Sequence, residues 1–131
     1  MKLICIGDSL TFGYGVHLSQ RWTRLCAQET GWELVNEGIN GDTTGGMLAR
    51  MQGGVLAELR EGGLGAGRPY VLLMGGSNDV FYSGSDAAAR GNMGAMIHQL
   101  FSMGVLPMVG IPLPADAPHA PRAILKRRSG R

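Results

Sequence analysis

The sequence has no apolar run long enough to cross a bilayer. Its longest, residues 3–6 and 70–74, fall far short of the roughly 20 that a membrane helix needs. It offers no signal-peptide core either, because one Lys and a short apolar stretch run straight into Gly7-Asp8. The cytosol is the expected compartment, without membrane contact. Cysteine is scarce: Cys5 and Cys26 both lie in apolar patterns and read as buried thiols, which excludes a disulfide or metal framework. The three scattered histidines give no ligand spacing, so no metal and no cofactor is expected. Charged residues make up 17% and apolar ones 44%, a balance that excludes both a disordered chain and a heptad-rich coiled coil. At 131 residues there is room for one domain.

A surplus of one charge sign is also missing from most of the chain. The net +2 comes from Arg122, Lys126, Arg127, Arg128 and Arg131, leaving seven basic residues against ten acidic ones, net −3, over residues 1–121. That body carries no nucleic-acid footprint. What is abundant is glycine, 22 residues, roughly twice the usual share.

Apolar runs and periodicity divide the chain into alternating elements. Residues 2–6 read as a strand buried on both faces, 33–36 as a second short strand, 70–74 as a third and 105–111 as a fourth, with Pro107 tolerated near its start or on an edge. Residues 19–30 form a helix on Trp22, Leu25 and Cys26, stopped by Gly31. A second helix spans 43–59, with Asp42 as its N-cap and a possible break at Gly53-Gly54. A third spans 87–103 on the stripe Met93, Met96, Ile97, Leu100 and Phe101. Strand and helix alternation predicts an α/β fold, a parallel sheet with helices on both faces.

Such sheets bind ligands beyond the carboxyl ends of their strands. Three polar, Gly-rich loops leave those ends: Gly7-Asp8-Ser9-Leu10, Gly38-Ile39-Asn40-Gly41-Asp42 and Gly75-Gly76-Ser77-Asn78-Asp79. Ser9 suits a nucleophile for acyl transfer, although alone this tetrapeptide reads better as a turn. Gly41 can present an unobstructed backbone N–H, and Asn78 a neutral amide donor, although each alone reads as a turn residue.

Together the three loops resemble the G-D-S-L, or SGNH, family of serine hydrolases and esterases. The first motif is similar to residues Gly7 to Gly15, the second to Asn36 through Thr44, the third, G-x-N-D, to Gly76-Ser77-Asn78-Asp79. The resemblance covers about residues 1–115 and includes Leu106 to Pro114 as the family's fourth strand and exit loop. It implies a flavodoxin-like, three-layer α/β/α fold with four strands in the order 2-1-3-4, incomplete at its C-terminal edge. It further implies Ser9 as nucleophile, with the N–H of Ser9, the N–H of Gly41 and the Asn78 side chain as oxyanion donors.

The family's D-x-x-H motif, whose His is the general base, belongs after a fifth strand that this sequence leaves no room for. Residues 1–115 are therefore expected to form a C-terminally truncated domain, and 116–131 a basic, disordered tail. Asp116 and His119 do spell D-x-x-H, but earlier than the family places it. His17 and His98 read as structural or surface residues.

The leading expectation is an esterase that cleaves small acylated substrates through a Ser9 acyl-enzyme and is impaired without a base. The alternative is a catalytically incomplete remnant that binds a ligand or protein. A nucleotide or flavin module fits less well, because no G-x-G-x-x-G follows the first strand and Glu37 is the sole acidic candidate for a ribose. The apolar fourth strand, exposed at a sheet edge, is expected to favour self-association.

Overall fold

A computed structural model describes residues 1–61 and 69–112. Asp116, His119 and the basic tail lie outside the described residues. Strand β1 (Lys2–Gly7) leads into a one-turn helix α1 (Ser9–Phe12), a 3₁₀ turn (Leu18–Gln20) and helix α2 (Trp22–Thr30). Strand β2 (Glu33–Gly38) is followed by α3 (Thr44–Ala49) and α4 (Val55–Glu61), then β3 (Tyr70–Met74), α5 (Ser77–Ser83), α6 (Ala87–Ser102) and β4 (Met108–Val109). All strand pairs are parallel, in the order β2-β1-β3-β4, as expected. The register sets Gly7 beside both Gly38 and Met74, which brings the carboxyl ends of the first three strands level on one rim.

Side chains alternate between the two faces of a strand. On one face Ile4, Ile6, Val71 and Leu73 pack with Met47, Met51, Val55, Leu56 and Leu59 of the α3–α4 segment and Met96 and Leu100 of α6, all buried. The opposite face holds buried Leu3 and Cys5, but Leu72 and Met74 are only half-buried and Tyr70 is exposed, stacked on Trp32 at 5.8 Å. At the open edge, Leu106 is 75% and Ile111 86% exposed.

The break foreseen at Gly53-Gly54 is present: turns running through that pair separate α3 from α4, because glycine backbone entropy opposes a helix. Other expectations are corrected, beginning with α3. Its cap is Thr43, whose Oγ1 accepts from the Gly46 N–H at 3.2 Å; Asp42 is drawn instead to Arg50. The segment after β3 is not wholly loop, because Ser77 to Ser83 form α5. In α2 the buried residue is Thr23, while Leu25 is exposed; the helix meets β2 through Thr23, whose hydroxyl accepts from Asn36 at 3.2 Å. Phe101 is exposed because the buried line of α6 runs through Met96 and Leu100, and the next residue stands about 100° round the helix. Strand β4 shrinks to two residues just beyond Pro107, which cannot donate to a ladder. Cys5 is buried, whereas Cys26 is only half-buried on α2.

Candidate functional site

At the end of β1, buried Asp8 caps α1 by accepting the Leu10 N–H at 3.0 Å. Ser9 is thus the first helical residue, half-buried, its N–H among the donors that a helix start leaves without an internal partner. The loop after α1 is held down by Trp22, whose Nε1 donates to the Leu10 carbonyl at 3.0 Å, and by Arg21 over the Phe12 ring at 4.5 Å.

Strand β2 ends against α1. A Cβ on Gly38 would stand 2.8 Å from the Phe12 Cα and 2.9 Å from the Asp8 carbonyl oxygen, so only glycine lets the two backbones approach this closely. Asn36 secures the junction, donating to the Thr11 carbonyl at 2.8 Å and accepting from the Gly38 N–H at 2.9 Å. The chain then turns: Asp42 N–H reaches the Ile39 carbonyl at 3.1 Å, and Gly41 takes a left-handed φ of +77°, exposed at the tip.

The third loop is anchored more deeply. Asp79 is buried in the first turn of α5; its Oδ1 accepts the Thr44 N–H at 2.8 Å and its Oδ2 the Thr44 hydroxyl at 2.6 Å. Thr44 Oγ1 in turn accepts from Asn92 of α6 at 3.1 Å. This network satisfies a donor at the start of α3 and locks α5 to it.

Two direct bonds join the loops. Ile39 N–H donates to the Gly7 carbonyl at 3.1 Å, and Asn78 Nδ2 donates to the Asp42 carbonyl at 2.8 Å. Asn78 therefore stands beside the Gly41 turn with one of its two amide hydrogens committed. The Tyr82 hydroxyl lies 3.5 Å from where a Gly41 Cβ would sit. Ser9, Gly41 and Asn78 accordingly come from three segments that the fold brings to one rim.

Neither described histidine is hydrogen-bonded to Ser9. His17 Nδ1 lies 2.8 Å from Ser19 Oγ and caps the 3₁₀ turn, and His98 is exposed on α6. Among the described residues no cluster could hold a metal ion, and no helix is long and apolar enough to cross a membrane.

The sequence reading missed Arg50, Thr44 and Asp79 as organisers. Asp79 was visible in the G-x-N-D string, but its partner is 35 residues away. Arg50 donates from Nε to Asp42 Oδ2 at 2.9 Å, from Nη1 to the Glu37 carbonyl at 2.7 Å and from Nη2 to the Gly7 carbonyl at 2.9 Å. Arg50 also lines a cavity of about 490 Å³ together with Glu37, Ile39 and Gly54 among others. Burial pushes the Glu37 carboxyl above its ordinary range, with Arg50 opposing and Glu58 adding to the rise.

Comparison with known proteins shows what the chain is similar to in sequence and fold. The model of the GDSL-like lipase/acylhydrolase family matches residues 5–129. Esterase TesA of Pseudomonas aeruginosa is 30% identical over 128 residues, covering 93% of this chain and 59% of that protein. The chain thus spans about 59% of the length of this curated relative. A structure assigned to the lipolytic G-D-S-L family, from Desulfitobacterium hafniense DCB-2, superposes with a TM-score of 0.81 at 26% identity, over 98% of this chain and 68% of its own. A lipase/acylhydrolase from Enterococcus faecalis gives a TM-score of 0.70 at 27% identity, over 98% of this chain and 67% of its own.

Proposed function

The chain belongs to the GDSL-like lipase/acylhydrolase family, and from that premise we propose that it hydrolyses esters of small acylated substrates through an acyl-enzyme on Ser9. The Ser9 hydroxyl attacks the ester carbonyl and the alcohol leaves; water then releases the acid and restores the serine. The oxyanion formed at each step is held by the N–H of Ser9, the N–H of Gly41 and the Asn78 carboxamide, donors that need to stand about 2.7–3.1 Å from it. The observation that carries this reading is the bond from Asn78 Nδ2 to the Asp42 carbonyl at 2.8 Å, which ties the third loop to the turn bearing Gly41.

A serine hydroxyl needs a base within hydrogen-bond reach. Asp116 and His119 are the residues to test for that role. The observation that neither His17 nor His98 is bonded to Ser9 favours a second reading, a protein that binds ester-like ligands or a partner without turnover. Loss of one member of a Ser-His-Asp unit removes most of the acceleration, but binding and the oxyanion hole alone still sustain about 10³–10⁴ over water in serine proteases.

The test uses a chromogenic acetyl ester and a serine-reactive phosphonate on the wild type, Ser9→Ala and His119→Ala. Turnover and labelling lost in both variants give the full hydrolase with His119 as base. Labelling that survives Ser9→Ala refutes the nucleophile. Slow, Ser9-dependent labelling without turnover gives the binding reading.

The exposed edge at β4 supports a further part of this reading, self-association by edge pairing. A concentration-dependent dimer in sedimentation, lost in Val109→Lys, is the expected outcome; a monodisperse monomer at all concentrations overturns it.

A further inference from the structure

The turns bearing Ser9 and Gly41 leave neighbouring strands, and their spacing depends on what fills the angle between them. That place is taken by Arg50, which closes α3. Its three hydrogen bonds reach the Gly7 carbonyl, two residues before Ser9, the Glu37 carbonyl at the end of β2, and the carboxylate of Asp42, next to Gly41. Nη2 also lies 2.7 Å from Asp42 Oδ2, and both side chains are largely shielded, 25% and 14% exposed. The three acceptors lie in different directions around one planar group.

We propose that Arg50 is a positioning residue that fixes the distance and angle between the Ser9 turn and the Gly41 turn, keeping the two backbone N–H groups aimed at one oxygen. The inference rests on the oxyanion reading above. The guanidinium is suited to this because its donors form a rigid fork, whereas a Lys ammonium is a point charge on a flexible stem and cannot span the three acceptors together. Arg50 is itself held in register with the third loop, since α3 begins at Thr44, bonded to Asp79 beside Asn78. One side chain thus connects the ends of β1 and β2 to an element already locked to α5.

The test uses the full chain, ¹⁵N-labelled, as wild type, Arg50→Lys and Arg50→Ala. Amide hydrogen exchange is followed at Ile39 and Asp42, whose N–H groups are bonded within the Gly41 turn, and, as distant controls, at Leu73 and Met96. Hydrolysis of p-nitrophenyl acetate provides kcat and KM separately. In Arg50→Lys, Ile39 and Asp42 exchange is expected to rise while the controls stay unchanged. A displacement of about 1 Å at the donors lowers kcat by about 100-fold with KM nearly constant. Millimolar guanidinium ion should restore part of the kcat of Arg50→Ala.

The inference is overturned if Ile39 and Asp42 exchange and kcat in Arg50→Lys stay within about twofold of the wild type. It is equally overturned if exchange rises uniformly at Leu73 and Met96, the mark of global loosening. Should the wild type show no Ser9-dependent hydrolysis, the oxyanion reading fails on its own account, and the exchange arm still decides whether Arg50 sets the Gly41 turn.

Discussion

The anchor of the third loop is the part of the site whose energetics can be worked out most directly. Asp79 is 6% exposed and Thr44 fully buried, and their two hydrogen bonds join α5 to the start of α3. In Asp79→Ala the Thr44 N–H loses its acceptor at the first turn of α3, a position with no intrahelical substitute. A buried unsatisfied donor costs about 1–3 kcal/mol, and the lost hydroxyl bond about 1 kcal/mol more, so the expected total is about 2–4 kcal/mol. The hydroxyl keeps its bond from Asn92, which limits the second term. Asp79→Asn retains one acceptor oxygen and should cost only about 1 kcal/mol. Urea unfolding followed by far-UV circular dichroism reads these losses, and a drop of about 3 kcal/mol shifts the midpoint by about 1–3 M at the usual slopes. Thr44→Val closes a double-mutant cycle, in which the coupling with Asp79→Ala should fall within the 0.5–3 kcal/mol expected of contacting residues, roughly in the middle of that span. An Asp79→Ala protein within about 0.5 kcal/mol of the wild type, or a coupling near zero, would refute the argument that this pair anchors α5.

Three further outcomes are expected. Gly38→Ala places a methyl group against the backbone of Phe12 and should destabilise the fold by about 1–3 kcal/mol, measured by the same unfolding curves. The Glu37 carboxyl is raised above its ordinary 4.5 by burial, so between that value and its raised one the folded protein binds more protons than the unfolded chain. Stability should therefore fall as pH rises through that window. Glu37→Gln should abolish the slope there, be the more stable protein above it, and match the wild type below 4.5 in unfolding curves taken at several pH values. Burial, with Cys26 adding, pushes the Cys5 thiol up to about 12, so at pH 8 iodoacetamide should leave Cys5 untouched in the folded protein and alkylate it only after unfolding, as read by mass spectrometry of the tryptic peptide.

Local pattern carried much of the fold. The apolar run 70–74, too short for a helix and bounded by Pro69 and Gly75-Gly76, reads as a strand, and β3 occupies that span. The Gly53-Gly54 pair flagged a break between α3 and α4 because glycine opposes a helix wherever it occurs. The length of α6 and its buried line through Met96 and Leu100 followed from helical periodicity, although Phe101 did not, since an apolar residue at the margin of a stripe is buried only if a neighbour covers it. The strand β4 contracted for a similar reason: apolar composition permits a ladder, but only a partner strand and free N–H groups make one.

The sequence by itself placed the carboxyl ends of the first three strands to within two residues, and hence the loops bearing Ser9, Gly41 and Asn78 at those ends. Only the tertiary structure decided how those ends are held. The bonds that do so run from Arg50 to Gly7, from Asn78 to Asp42 and from Thr44 to Asp79, over separations of 43, 36 and 35 residues. Hydrogen bonding depends on distance and angle within a few tenths of an ångström. No short-range pattern encodes that geometry, because it exists only once the parallel register has set Gly7 level with Gly38 and Met74.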